Sequence, residues 1–226
     1  MRPVTLERSV APYAEGSCLV SFGGTRVLCT VSVEDGVPAW RRGGGEGWIT
    51  AEYAMLPRAT KTRTGRERSH LGGRTQEIQR LIGRSVRAMI DSFAFGEHTL
   101  KVDCDVLQAD GGTRTAAITG ASVAVCDAFE WMIGRDFIDA SPVRRRVAAV
   151  SVGIVEGMAL LDLNYDEDVR ADVDMNVVMS SERHFVELQG TGERSTFNQG
   201  QLESLVTLAT AGIAELIDAQ NRVLGG

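Results

Sequence analysis

The residue types best suited to chemistry in this chain sit in one run, Val102 to Ala121. There an alternating segment meets Gly111-Gly112, and Thr113 and Arg114 then open a helix of small residues. Backbone N–H groups left free at a helix start, a hydroxyl and a guanidinium together make a pocket for a tetrahedral oxyanion. Two glycines keep side chains from holding an anion off the main chain. The plainer reading of the same residues is a strand-to-helix turn with Thr113 as its cap. Neither Gly-Lys-Ser/Thr nor G-x-G-x-x-G occurs, so the spacing is not that of a P-loop or a dinucleotide site. Arg74 is a second candidate. It follows Gly72-Gly73 at the head of a helical pattern, where a cation is unfavourable unless an anion binds beside it.

Carboxylates form the other constellation. Asp166, Asp168, Asp172 and Asp174 crowd one stretch, and alternation on a strand sets Asp172 and Asp174 on one face. Paired carboxylates repel unless a cation or a proton compensates, and all-oxygen ligands suit Mg²⁺ or Mn²⁺. An acidic loop partly neutralised by Arg170, with Glu167 simply solvated, accounts for the same residues. Asp103 and Asp105 are a similar same-face pair, and Asp110 is expected to orient Arg114 or cap the turn. His70, His98 and His184 do not cluster, and no nucleophile elbow or Cys–His pairing points to covalent catalysis. Cys18, Cys29, Cys104 and Cys126 are scattered in apolar surroundings, which predicts buried free thiols in a reducing, cytoplasmic compartment.

The formal charge of −6 disfavours a polyanionic partner only if it is evenly spread. From Arg58 to Arg87 there are nine basic residues (Arg58, Lys61, Arg63, Arg66, Arg68, Arg74, Arg80, Arg84, Arg87) against two acidic ones, Glu67 and Glu77. Local charge is what a polyanion meets within a Debye length, so this segment is a candidate nucleic-acid footprint. Trp40, beside Arg41 and Arg42, could stack on a base.

The elements that must position these groups follow from periodicity. Ser17–Phe22 and Thr25–Val33 flank Gly23-Gly24 as a hairpin, Gly47–Leu56 is a strand, and 58–73 is expected to be a mobile surface loop. Helical spacing predicts 75–90, a strand covers 98–108, and a second helix covers 116–133. A hairpin (147–155 and 158–163), strands over 172–179 and 184–189, and a helix over 201–223 repeat the plan. Two related α+β halves, about 1–138 and 139–226, would thus share one core in a single domain. No apolar run is expected to cross a bilayer, and no signal-peptide core opens the chain.

Ala14–Ser17, Gly47–Tyr53, Met55–Arg58, Gly73–Arg84, the 103–120 run and Val173–Met179, in this order, resemble the ribonuclease PH family along nearly the whole chain. These are phosphate-dependent exoribonucleases that trim transfer-RNA 3′ ends. Gly47-Trp-Ile-Thr-Ala-Glu-Tyr53 is nearer the bacterial members than the exosome relatives. The resemblance implies the ribonuclease PH fold and a ring hexamer of dimers. It matches Gly112, Thr113 and Arg114 to the family's phosphate-binding Gly-Thr-Arg, and Arg74 to a second phosphate-contacting arginine. Asp168 and Asp174 match the pair at the metal (Mg²⁺ or Mn²⁺) and scissile phosphate, with Asp172 where Glu is commoner. Arg58, Arg63 and Arg66 match arginines that engage RNA. Inorganic phosphate would be co-substrate, with Arg114, Asp168 and Asp174 catalytic. Relatives carry an Asp-Gly-Arg segment before the counterpart of Met1-Arg2-Pro3, absent here, and a slightly longer stretch between Arg66 and Arg74. A catalytically silent RNA-binding ring subunit of an exosome-like assembly and a metal-dependent hydrolytic nuclease are the rival readings.

Overall fold

Alternating and β-branched residues build two sheets, and one apolar helix is what both can pack against. The computed structural model describes residues 1–67 and 71–225; Arg68 and His70 lie outside the described residues. The first half runs β1 (Val4–Arg8), β2 (Gly16–Phe22), β3 (Thr25–Asp35), β4 (Trp48–Met55), α1 (Gly73–Arg87), β5 (His98–Gln108) and α2 (Thr113–Ile133). The second runs β6 (Val147–Val155), β7 (Met158–Leu161), α3 (Tyr165–Arg170), β8 (Val173–Ser180), β9 (Phe185–Gly192) and α4 (Gln199–Leu224). Sheet order is β1-β2-β3-β5-β4 in the first half and β7-β6-β8-β9 in the second. All pairs are antiparallel except β4 with β5, which α1 connects as a crossover.

The long strands of the first sheet alternate between buried and exposed residues, as a sheet with one covered face must. β6 is buried at every position, in keeping with its unbroken run of small and β-branched residues. It is packed on by α2 from one side and by α4, while α2 also lies on β2 and β3. One core cluster therefore runs through both halves, from Leu6 to Ile217. A small satellite of Val155, Leu163 and Ala171 lies apart from it.

Several boundaries differ from the sequence reading. The first helix starts at Gly73 and ends at Arg87; Ile90 instead bridges to Val143. β1 has no counterpart in the sequence reading, because an edge strand this short carries little pattern. Contrary to expectation, α2 is long and apolar enough, by length and composition alone, to cross a bilayer. It is apolar all round because it is enclosed by both sheets, which a hydropathy reading cannot separate from a membrane span. The acidic stretch is not a plain loop: Asn164 and Glu167 form a capping box that starts α3, so Glu167 is not merely solvated. Arg170 pairs with Glu156 at 2.8 Å rather than with the aspartates. Asp172 lies just ahead of β8, with its N–H bonded to the Ile154 carbonyl (2.8 Å), and only Asp174 of the pair lines the cleft described below. All four cysteines are free, with Cys126 only partly buried.

Candidate active site

The Asp110–Thr113 turn is clamped from three directions. Arg2, just ahead of β1, donates to the Asp110 carbonyl, and its Nη2 lies 2.7 Å from Oδ1 of Asp162. The main-chain N–H and Nε of Arg2 both reach Asp162 Oδ2 at 3.0 Å. Thr25, in the first hairpin, accepts from the Asp110 N–H (2.9 Å) and donates to the Gly111 carbonyl (2.5 Å). Gly111 and Gly112 have φ of +75° and +64°. A side chain at Gly111 would collide with the Leu163 carbonyl where the chain enters α3, so only glycine fits there. The predicted Asp110–Arg114 contact is absent; Asp110 faces Arg2 and accepts from the Tyr165 N–H.

The turn opens onto a cleft of about 800 Å³ lined by Arg74, Gly112, Thr113, Arg114, Asp168 and Asp174 among others. The groups singled out from sequence as phosphate and metal ligands thus share one hollow. α2 begins with no side-chain cap and no acidic residue in its first turn, so its N-terminal N–H groups keep their positive potential. Thr113 is not a cap: it accepts a hydrogen bond from the Tyr53 hydroxyl at 2.8 Å, which leaves its own proton for another acceptor. Arg114 is half-buried and braced by Gln189 (3.1 Å) and Glu77 (3.7 Å), with Gln189 itself donating to Glu77 at 2.7 Å. Arg74 is exposed near the uncapped start of α1 and enters the cleft from the opposite element.

The two carboxylates feel that arrangement. Burial raises Asp174 to about 6, with Asp168 adding to the rise and Arg114 opposing it. Burial raises Asp168 too, against the pull of Arg74 and Arg114. Asp174 lies opposite Gly153, and the Asn176 amide reaches toward it at 3.5 Å. Among the described residues no group of three or more His, Cys, Asp or Glu is placed to hold a metal. A pair of crowded oxygen ligands, however, suits an ion such as Mg²⁺, which keeps several waters and binds through one or two carboxylates plus substrate phosphates.

The remaining sequence candidates lie outside the cleft. Arg58, Arg63 and Arg66 are exposed and do not line it, although Lys61, Thr60, Thr62 and Thr64 of the same loop do. Lys61 sits over the Tyr165 ring, 5.7 Å from its centroid. Arg66 lowers Asp105, which burial otherwise raises, and so leans toward the outer face of β5. Trp40 is 67% exposed, but the Arg41 guanidinium already lies 5.6 Å from its ring and 5.1 Å from that of Trp48. Sequence reasoning did not find Tyr53, Gln189, Glu77, Ser151 or Asn176. Tyr53, Gln189 and Glu77 act through partners remote in sequence, and periodicity carries no signal for that.

With the geometry in place, comparison with known proteins assigns the lineage. A profile of the 3′ exoribonuclease family, domain 1, matches residues 1–129, and one of domain 2 of that family matches residues 145–212. The chain belongs to this ribonuclease PH family of 3′ exoribonucleases. Among solved structures, rice (Oryza sativa) Rrp46 superposes with a TM-score of 0.80 at 19% identity, covering 100% of this chain and 96% of that one. The Archaeoglobus fulgidus exosome with RNA bound to the active site gives 0.82 at 23%, covering 96% and 87%. An archaeal exosome core gives 0.77 at 21%, covering 97% and 87%. At these identities the likeness establishes the fold.

Proposed function

We propose that this chain is a phosphate-dependent 3′-to-5′ exoribonuclease of the bacterial ribonuclease PH type that shortens transfer-RNA precursors and other RNA. The observation that carries the reading is the convergence of Arg74 from α1 and Thr113-Arg114 from α2 on the cleft that also holds Asp168 and Asp174. An oxygen of inorganic phosphate attacks the phosphorus of the last internucleotide bond. A new P–O bond forms, the bond to O3′ breaks, and O3′ takes a proton. The products are a nucleoside diphosphate and an RNA one residue shorter.

Bringing one phosphate anion onto another is repulsive, and positioned cations lower that barrier without a covalent intermediate. Arg74, Arg114, the Thr113 hydroxyl and the main chain at Gly112 hold the attacking phosphate. Asp168 and Asp174 are the residues that would hold Mg²⁺ or Mn²⁺, whose charge screens the crowded anions when it is bound. One of the two carboxylates passes the proton to O3′. Arg58, Arg63 and Arg66 bind the RNA backbone without reading its sequence. The assembly proposed is a cytoplasmic ring of six chains built from dimers.

The likeness to exosome subunits supports a second reading, a ring subunit that binds RNA without turning it over. Chromatography of the products from a 3′-labelled RNA separates the readings. Nucleoside diphosphates formed only with added phosphate support phosphorolysis. Monophosphates in phosphate-free buffer indicate hydrolysis, and tight RNA binding with no product indicates the silent subunit. Arg114→Ala is expected to raise KM for phosphate by at least about tenfold, or to abolish turnover, because a charged hydrogen bond contributes about 1.5–3 kcal/mol. An unchanged phosphate dependence removes Arg114 from the mechanism.

A further inference from the structure

Ser151, in the middle of β6, is 4% exposed, lines the cleft, and its Oγ has no hydrogen-bond partner. A buried hydroxyl left unmatched is costly, so its presence calls for an occupant that is not protein. Its setting says what kind. Around the place where a Cβ on Gly112 would stand lie Thr115 Oγ1 at 3.2 Å, Arg2 Nη2 at 3.3 Å and Ser151 Oγ at 3.6 Å. The Thr115 hydroxyl is spent on the Gly112 carbonyl (2.9 Å), and Arg2 Nη2 is held by Asp162 through one of its two hydrogens. Of the two hydroxyls, only that of Ser151 has its proton uncommitted. It stands beside the uncapped N-terminus of α2, a helix of 21 residues whose first N–H groups also lack side-chain acceptors. A donor that is buried, unpartnered and set against a positive helix end is suited to a tetrahedral oxyanion.

We infer that the Ser151 hydroxyl donates to a phosphate oxygen seated at the start of α2, adding a strand-borne donor to Thr113 and Arg114. This rests on the phosphate-site reading above and deepens it. The same chemistry could belong to free orthophosphate or to the terminal phosphodiester of the RNA, and the measurements separate the two. Ser151→Ala breaks no bond within the protein, so the melting temperature is expected to stay within about 2 °C of the parent. KM for phosphate is expected to rise about 10- to 100-fold. RNA affinity, read by fluorescence anisotropy in phosphate-free buffer, is expected to stay unchanged.

The reverse pattern, weakened RNA binding with an unchanged KM for phosphate, gives the hydroxyl to the RNA phosphodiester. If neither moves, the assignment is overturned. Titration of inorganic phosphate alone, followed by ³¹P NMR, keeps the test independent of turnover. Weaker phosphate binding by Ser151→Ala in a protein that performs no phosphorolysis leaves the assignment standing while the catalytic reading fails. Equal binding by both proteins, or binding by neither, overturns it.

Discussion

The clearest consequence at the residue scale concerns Asp174, whose carboxyl burial raises to about 6 from an unfolded value near 4. Between those values the folded chain binds a proton that the unfolded chain does not. Stability therefore falls as pH rises through that interval and stays lower above it. Asp174→Asn cannot ionise, and so avoids that loss. In metal-free buffer at pH 7.5 the variant should be more stable than the parent by about 2–3 kcal/mol, or about 5 °C or more in melting temperature. Below pH 4 the two should converge. A parent that is the more stable at pH 7.5 would mean that Arg114 and Arg74 outweigh burial at this position. The same reasoning says why the carboxylate is kept: it is a stability cost that only a bound cation or proton relieves, and such costs gather at functional sites.

Elements, not single residues, place the phosphate turn, and here the sequence was legible in part. Alternation located β2, β3 and β5, and helical spacing located α1 and α4, because each buries a continuous face. The turn itself was visible as Gly-Gly-Thr-Arg. What holds it was not, since Arg2 and Asp162 lie 160 positions apart and neither breaks a local pattern. Likewise Asp110 looked like the partner of Arg114 by proximity along the chain, whereas β9 and α1 supply that partner through Gln189 and Glu77. Asp162 has no exposed side-chain surface, so removing Arg2 strands a buried carboxylate. Arg2→Ala should cost about 3–5 kcal/mol. Asp162→Ala should cost a similar amount, and the double variant clearly less than their sum, as chemical denaturation of all four proteins would establish. Additive losses would show that the two side chains are not coupled, and the clamp would then be the work of Thr25 and Gly111 alone.

For the whole molecule the decisive quantity is where charge sits. A chain of net charge −6 should repel RNA, yet the loop between β4 and α1 exposes Arg58, Arg63 and Arg66. The sequence count of nine basic residues overstates what an RNA would meet. Arg84 is bound to Glu187 at 2.7 Å, and Arg87 is laid over Trp48 with its ring centroid 4.8 Å away. The exposed residues Arg58, Arg63 and Arg66 lie beside a cleft they do not line, which suits grip on the RNA body over contact with its reacting end. Each phosphate neutralised on a single strand contributes about 0.7 to the slope of log affinity against log salt. Replacing all three arginines by alanine should therefore lower that slope by about 2, measured by anisotropy over a salt series on a single-stranded RNA. Because surface arginines contribute little to folding, the melting temperature should hardly move. KM for phosphate should also stay near the parent value, since the anion site is built from α1 and α2 and does not need the loop. A rise in that KM matching the loss of RNA affinity would place these arginines at the reacting phosphate, and the division between gripping loop and reacting cleft would fail.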